Sequence, residues 1–389
     1  MSVTAPAGFR AAAVAAGLKS TGEPDVAVVV NDGSSPTAAA VFTRNRVAAA
    51  PVVWSREVVA GRRVRAVVLN SGGANACTGP DGFADTHATA EMLAGALSAA
   101  GPIAVGAGEV VVCSTGIIGR RLDRERLLDG VARSVAALSA DGGAAAAEAI
   151  RTTDTVAKQA LVTGGGWSVG GMAKGAAMLA PGLATMLCVL TTDAVVDPVL
   201  ADRVLRAAVR TTFERIDSDG CMSTNDTVLL LASGVSGVAP AEDELAAAVT
   251  SAARNLTLAL LADCEGAGKE VTVEVRGAKT EDDAVSVARA LARNTLLKCA
   301  LAGADPYWGR VLAAVGTTDA TFDPDRLDVA FNGVRVCRDS QADPAAGPAD
   351  ISGRQVHLLL DLRSGAESAT VWTTDLTPAY VHLNADYPT

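Results

Sequence analysis

Short runs of β-branched residues recur along this 389-residue chain, and they restrict its fold more than any other feature. Val, Ile and Thr are stiff at χ1 and pack well on a pleated surface, so such runs favour strands. The clearest runs lie at 26–32 (VAVVVND), 65–72 (RAVVLNSG), 109–116 (EVVVCSTG), 271–277 (VTVEVRG) and 356–362 (VHLLLDL). We therefore expect a core built around β-sheets.

Segments with apolar residues at three- and four-residue spacing separate these runs and predict amphipathic helices. Further strand patterns cluster around 155–192 and again after 325, where Asn332-Gly333 between two alternating runs predicts a hairpin. Because the strands cluster instead of alternating regularly with helices, the order favours a layered α+β fold over a doubly wound parallel sheet. The predicted helices cover 86–100, 124–140, 198–215, 242–262 and 281–299.

Composition narrows the class of protein. With 49% apolar residues the chain can bury a substantial core, while a net charge of −10 and 3% aromatic residues argue against nucleic-acid binding. The seven cysteines are scattered singly and never at CxxC spacing, which favours a reducing cytoplasm over a disulfide or zinc framework. The N-terminus shows no export signal, so we expect a cytoplasmic protein.

An uncharged run from Gly175 to Thr192 has about the length of a membrane span. Pro181, Gly182 and three threonines within it would break or hydrate a helix in lipid. We therefore predict a loop that leads into a buried strand, and no membrane partner.

Several familiar motifs are matched only in part, or lack the neighbouring residues that their function requires. The sequence GWSVG around Ser168 matches a nucleophile elbow, but the glycines that follow it disfavour the helix that such an elbow requires. The acidic stretch 217–226 lacks the spacing of a calcium loop, and no phosphate-binding loop occurs. We predict no metal site and no nucleotide cofactor.

The same uncharged run offers a chemical alternative at Ala184-Thr185. The Thr185 hydroxyl could attack the carbonyl of Ala184, and hydrolysis of the resulting ester would leave Thr185 as a new chain N-terminus. A free α-amine has a pKa of about 7.7 to 8.0, against about 10.4 for lysine, so it could act as base for its own hydroxyl near neutral pH. From the residues alone, an ordinary strand threonine is the competing interpretation.

Nine segments, in order along nearly the whole chain, resemble the ornithine acetyltransferase (glutamate N-acetyltransferase) family of the arginine pathway. Together they are highly specific. They are VFTRN (41–45), LNSGGANACTG (69–79), CSTGIIG (113–119), TTDTVAK (152–158), GGMAKGAAMLAPGLATMLCVLTTDA (170–194), STNDTV (223–228), ADCEGAGK (262–269), DPYWGRV (305–311) and YVHLNADY (380–387).

The resemblance implies a layered αββα sandwich with a smaller C-terminal α/β subdomain, at about 278–389. It also implies self-cleavage into chains 1–184 and 185–389, which the family pairs as an α2β2 heterotetramer. The implied reaction moves an acetyl group from N2-acetyl-L-ornithine to L-glutamate through an acetyl-threonine, with no cofactor. The sequence leaves open whether acetyl-CoA is a further co-substrate.

Site residues follow from the same resemblance, motif by motif. Thr185 would be both cleavage nucleophile and acetyl acceptor, with Ala184 on the other side of the cut. Thr115 and Gly116 would form an oxyanion hole. The implied substrate contacts are Thr152, Lys174, Thr185, Glu265, Asn384 and the terminal Thr389.

The sequence departs from the family pattern at two positions, and three other functions remain open. The chain has Tyr307 and Gly182 where the family commonly has small polar residues, and Gly182 puts the rate of cleavage in doubt. An N-terminal-nucleophile amidohydrolase or aminopeptidase would use water as acceptor. A non-catalytic binding protein would keep its chain intact, and a paralogue would serve a specialised pathway.

Overall fold

The fold is described from a computed structural model, which describes residues 2–102, 104–180 and 186–385. Within these residues the chain forms fifteen strands and ten α-helices. The strands are β1 (Phe9–Val14), β2 (Val26–Asn31), β3 (Thr37–Phe42), β4 (Ala66–Ser71), β5 (Val110–Thr115), β6 (Lys158–Thr163), β7 (Ser168–Lys174), β8 (Leu187–Thr192), β9 (Thr227–Ala232), β10 (Glu270–Ala278), β11 (Asp328–Phe331), β12 (Val334–Arg338), β13 (Gln341–Ala342), β14 (Gln355–Asp361) and β15 (Glu367–Thr374).

The helices lie between and after these strands. They are α1 (Ala50–Ala60), α2 (Gly79–Ala100), α3 (Arg124–Ala136), α4 (Gly143–Ala149), α5 (Pro198–Thr211), α6 (Glu242–Ala262), α7 (Glu281–Arg293), α8 (Thr295–Ala302), α9 (Trp308–Val315) and α10 (Pro378–Ala385). Two single turns of 3₁₀ helix, Ala107–Glu109 and Phe213–Arg215, complete the helical residues described.

Two sheets face each other in the first compact unit, which comprises residues 1–176, 182–214 and 222–260. One sheet has the order β1-β2-β4-β5, and the other has the order β3-β9-β8-β7-β6. Most neighbours are antiparallel, but β4 with β5 and β8 with β9 run parallel. Apolar side chains of both sheets, such as Leu69 and Val189, form one buried core between them.

Helices cover the outer faces of both sheets. Leu93 of α2 and Val131 of α3 pack on the outward residues of the first sheet. On the second sheet α5 lies against β3, and Leu256 of α6 lies beside Gly171 of β7. The unit is thus a four-layer αββα sandwich, which confirms the predicted layered α+β fold.

The second unit comprises residues 177–181, 215–221 and 261–389, and therefore includes 261–277 as well as the region predicted as a subdomain. Its sheet has the order β13-β12-β11-β14-β10-β15, in which β10 and β14 run parallel. The helices α7, α8 and α9 bury their apolar faces against this sheet in a separate core. The predicted division into two chains at residue 184 stays a prediction.

The predicted strands are confirmed, and the hairpin is confirmed in detail. Asn332 and Gly333 connect β11 to β12 with φ angles of 46° and 82°, the left-handed pair that a type I′ turn requires.

Helix ends are where the predictions were wrong. The predicted helix 281–299 is two helices, because the Asn294 side chain accepts from the Leu297 N–H and caps the start of α8. Predicted helix 124–140 ends at Ala136, because Ser139 pairs with Ala11 of β1 instead. Helix 198–215 ends at Thr211, and α2 begins at Gly79 instead of 86.

One described helix, α6, is long and apolar enough to cross a membrane by length and composition alone. Half of its most apolar window is buried inside the protein, as in the core helix of a globular domain. The uncharged run weighed above ends in a strand, β8.

Candidate active site

The carboxyl end of β5 delivers the first two candidate residues, Thr115 and Gly116. The Thr115 carbonyl accepts hydrogen bonds from the N–H groups of Gly72 and Gly73, at 3.1 and 3.0 Å. Gly116 has a φ of 131°, and a Cβ there would lie 2.6 Å from the Gly73 nitrogen. The tight approach of the two backbone segments therefore requires glycine at 116 and holds the turn in place.

Lys174, the last residue of β7, lies across from this turn with its side chain 2% exposed. Its Nζ donates to Thr115 Oγ1 at 3.1 Å and to Thr152 Oγ1 at 2.7 Å. The structure thus brings three of the sequence-predicted residues, from separate parts of the chain, into one hydrogen-bonded group.

Two proton donors of this group have no acceptor among the residues that the structure describes. Thr115 Oγ1 accepts from Lys174, so its own proton is available to another acceptor. The Gly116 N–H likewise has no partner among the residues that the structure describes. A hydroxyl and an amide beside a buried ammonium are the kind of donors that stabilise an oxyanion.

The buried carboxylate of Asp154 holds the same group in place. Its Oδ1 accepts from Lys158 Nζ and from the Gly175 N–H, both at 2.6 Å. Its Oδ2 accepts from the Thr152 N–H at 3.2 Å and lies 3.9 Å from Lys174 Nζ. One buried carboxylate therefore fixes the backbone or side chain of four neighbours.

The charges around Asp154 also set its pKa. Burial alone would raise this pKa, but the nearby ammonium groups of Lys174 and Lys158 and the Gly175 N–H outweigh burial and lower it to about 2. Asp154 is therefore ionised throughout the neutral range.

A second carboxyl, Asp226, lies just before β9 and is completely buried. Its Oδ1 accepts from the Met186 N–H at 2.9 Å, immediately ahead of β8. Burial raises its pKa well above the ordinary value, against opposing contributions from the Met186 N–H and Lys174.

The second unit brings two further predicted residues together. Asn384 on α10 donates from Nδ2 to Glu265 Oε2 at 3.0 Å, and also to the Tyr380 carbonyl at 3.0 Å. Both side chains are polar and accessible enough to bind an amino-acid substrate.

The remaining predicted residues, Ala184, Thr185 and Thr389, lie outside the described residues, as does Gly182. Over residues 2–102, 104–180 and 186–385, no group of three or more His, Cys, Asp or Glu is arranged to hold a metal ion. Ser168 begins strand β7 and is not at a strand-to-helix elbow, as expected.

Sequence reasoning missed Asp154, Lys158 and Asp226 as site residues. All three occur in segments quoted for the family resemblance, TTDTVAK and STNDTV, but only Thr152 was assigned a role. The available signal was an acidic residue inside a segment that leads into a buried strand, since carboxylates are rarely buried without a partner.

Comparison with known proteins decides the family. A model of the ArgJ family matches residues 10–389, which is nearly the entire chain. The chain belongs to the ArgJ family. The resemblance seen in the sequence is thereby confirmed.

Two curated relatives carry the name arginine biosynthesis bifunctional protein ArgJ. The protein of Streptomyces avermitilis is 60% identical over 387 residues, covering 100% of both chains. That of Thermobifida fusca is 59% identical over 389 residues, again covering 100% of both. The chain, like these ArgJ relatives, is an acyltransferase enzyme of arginine biosynthesis.

Among solved structures, a crystal structure of ornithine acetyltransferase complexed with ornithine from Mycobacterium tuberculosis is 54% identical. It covers 48% of this chain and 96% of its own, with a TM-score of 0.44.

Proposed function

We propose that the protein transfers an acetyl group from N2-acetyl-L-ornithine to L-glutamate through an acetyl ester on Thr185, after cutting itself between Ala184 and Thr185. The observation that carries this proposal is the buried group of Lys174, Thr115 and Thr152, in which the Thr115 hydroxyl and the Gly116 N–H have no acceptor within residues 2–102, 104–180 and 186–385. Acyl transfer creates an oxyanion, and preorganised donors of this kind each lower the barrier by roughly 3 to 4 kcal/mol.

In the first half-reaction, Thr185 Oγ attacks the acetyl carbonyl carbon and the hydroxyl proton passes to the free Thr185 amine. The carbon–nitrogen bond to ornithine then breaks, and the ornithine nitrogen takes that proton as it leaves. The oxyanion formed in between would be held by the Thr115 hydroxyl and the Gly116 N–H. The product is an acetyl ester and free ornithine.

In the second half-reaction, the amine of glutamate attacks the ester carbon and Thr185 Oγ leaves. The amine loses a proton through the Thr185 amine, and Oγ regains one, so the enzyme returns to its starting state. The amide broken and the amide formed are chemically similar, and the transfer therefore needs no external energy source.

Substrate recognition is assigned by chemistry. The Lys174 ammonium suits an α-carboxylate, the Glu265 carboxylate suits an ammonium, and Thr152, Asn384 and Thr389 can complete hydrogen bonds. We further propose that no cofactor takes part and that the cytoplasm is the site of action.

Intact mass of the purified protein under denaturing conditions tests self-cleavage. We expect two chains of 184 and 205 residues from the wild type, and a single chain near 39 kDa from Thr185→Ala. Thr185→Ser, which keeps a hydroxyl, is the matched control and should still cleave. An uncut wild type, or a Thr185→Ala variant with normal acetyl transfer, would contradict the proposal.

Incubation with acetylornithine, with and without glutamate, tests the acceptor. Ornithine release should depend on glutamate beyond a single turnover. Release at full rate without glutamate would instead indicate the amidohydrolase. Acetyl-CoA in place of acetylornithine tests whether it also loads Thr185.

We also propose an α2β2 assembly. Light scattering during gel filtration should give about 78 kDa, twice the 39.1 kDa of one full chain. A mass of about 39 kDa would exclude it.

A further inference from the structure

The loop between α6 and β10, residues 263–269, carries Glu265 and lies directly against α10, the helix that carries Asn384. Gly266 of this loop has a φ of 61°, and a Cβ there would lie 2.4 Å from the Tyr380 nitrogen in the first turn of α10. Such a close approach of two backbone segments requires glycine. The position of Glu265 therefore depends on how the loop and the helix are joined.

The Thr377 hydroxyl joins them. Thr377 directly precedes α10, and its Oγ1 accepts from the Tyr380 N–H at 3.1 Å. This is the contact of a helix N-cap residue, and Pro378 follows it at the first helical position. The same hydroxyl donates to the Gly266 carbonyl at 2.6 Å. One oxygen thus fixes both the start of α10 and the backbone next to Glu265.

Asp375 holds the far end of the same loop. Its side chain is buried, and its Oδ1 accepts from the N–H groups of Gly268 and Lys269 at 2.9 and 3.1 Å. The segment that leads from β15 into α10 therefore binds the loop at two points. Of these two contacts, the one made by Thr377 is next to Glu265.

We propose that Thr377 is a positioning residue for recognition of the acetyl donor, because it holds the Glu265 carboxylate where that group can bind the donor's ammonium. This inference rests on the proposed function, which assigns Glu265 to the substrate. The α-nitrogen of N2-acetyl-L-ornithine is acylated, so its one ammonium is on the side chain. Charge-assisted hydrogen bonds need a defined distance and direction, and a displaced loop would weaken this contact in particular.

A comparison of two donors separates positioning from an ordinary capping role. N2-acetyl-L-norvaline has a hydrogen in place of the side-chain ammonium and is otherwise the same molecule. The ratio of kcat/KM for acetylornithine to that for acetylnorvaline, with glutamate as acceptor, measures recognition of the ammonium. A residue that only stabilises the fold would change both values alike and leave this selectivity unchanged.

Thr377→Val keeps the shape of the side chain and removes the hydroxyl. We expect the selectivity to fall by at least about 10-fold, since a hydrogen bond to a charged group is worth roughly that factor. The value for acetylnorvaline should stay close to that of the wild type. Thr377→Ser, which restores the hydroxyl, should recover the selectivity. Thr377→Gly is a second variant in case valine prevents folding, because glycine remains a favoured N-cap residue but has no hydroxyl.

Thr280→Val is the matched control. Thr280 lies in the same unit and caps α7 by accepting from the Asp283 N–H at 3.1 Å, but α7 carries none of the residues assigned to the substrate. This variant should lose a comparable amount of thermal stability and keep the wild-type selectivity. Glu265→Gln measures the loss of the carboxylate charge itself, and adding Thr377→Val to it should lower the selectivity no further.

A fall in selectivity for Thr377→Val or Thr377→Gly, absent from Thr280→Val and from the Glu265→Gln background, supports the proposal. Equal losses for both donors would show that Thr377 is only a cap and would overturn it, while the proposed function would stand. Full selectivity in Glu265→Gln would overturn the assignment of Glu265, and this inference with it. A wild type that transfers no acetyl group from either donor would overturn the proposed function itself.

Discussion

Thr115 is the described residue on which the proposed acetyl transfer depends most directly. Its hydroxyl accepts from Lys174 and keeps its own proton for the substrate oxyanion. Thr115→Val keeps a β-branched side chain at the end of β5, but it removes both the hydroxyl donor and the oxygen that accepts from Lys174 Nζ. We expect kcat to fall by roughly 10²- to 10³-fold.

Steady-state kinetics with acetylornithine and glutamate measure this effect. Thr115→Ser, which restores the hydroxyl, should retain most of the rate. A valine variant with wild-type kcat would remove Thr115 from the oxyanion hole.

Loss of the Asp154 carboxylate should lower the stability of the fold strongly. Asparagine there would leave Lys158 and Lys174 buried without their carboxylate, and breaking a buried pair in this way costs about 3 to 5 kcal/mol. Urea unfolding of Asp154→Asn against the wild type at neutral pH measures it. A difference under about 1 kcal/mol would contradict the structural role.

The difference in stability between the wild type and Asp154→Asn should depend on pH. The folded-state pKa of Asp154 is about 2, below its ordinary value of 3.8, so its stabilisation is complete above about pH 4. It is lost as the pH falls from about 4 to 2, where the folded protein must also take up the proton. The stability difference between wild type and Asp154→Asn should therefore shrink across that window, and a constant difference would exclude this cause.

For single residues, the sequence could identify Thr115, Thr152 and Lys174 through their motifs. It could not show that the Lys174 ammonium binds both hydroxyls. That contact depends on β5 and β7 lying in two different sheets that face each other, a long-range property that no local pattern encodes. Asp226 escaped notice for the same reason, since its burial comes from distant segments.

The hairpin between β11 and β12 is the element in which sequence and structure agree most closely. Gly333 has a φ of 82° and no atom near the position of an added Cβ, so alanine there meets backbone strain alone. We expect Gly333→Ala to lower the free energy of unfolding by about 1 to 2 kcal/mol. Chemical denaturation measures this change.

Gly353 is the matched control for this substitution. It lies in the same unit, also has open space at Cβ, and has no left-handed φ, so alanine there should be neutral or slightly stabilising. Equal losses at both positions would mean that the turn conformation is not the cause.

Helices were predicted less well than strands because their ends depend on single side chains. Asn294 ends α7 and caps the start of α8. The helical spacing of apolar residues continues across Asn294, so the pattern does not reveal the break. The strands, by contrast, are bounded by glycines and polar residues that also mark their ends in the sequence. Periodicity therefore fixed which elements exist, and capping fixed where they end.

The whole molecule shows why the two proposed chains would remain together. In the five-stranded sheet of the first unit, β3, β6 and β7 precede residue 184, whereas β8 and β9 follow it. β7 and β8 pair from Val169 opposite Thr192 to Lys174 opposite Leu187, in the middle of that sheet. Cleavage at 184 would therefore leave every one of these backbone hydrogen bonds in place.

We accordingly expect the cleaved chains to co-elute on gel filtration in buffer and to separate only in denaturant. A tag on one chain should recover the other in equal amounts. The matched control is Thr185→Ala, whose single chain should elute at the same volume under native conditions. Free chains in native buffer would contradict the shared sheet.

This interleaving also sets an order of events. The proposed cut lies between β7 and β8, which pair with each other in the middle of one sheet, and we expect the cut to follow the assembly of these strands. Self-cleavage would then report on correct folding. A substitution that destabilises the sandwich would first become visible as uncut protein on a denaturing gel.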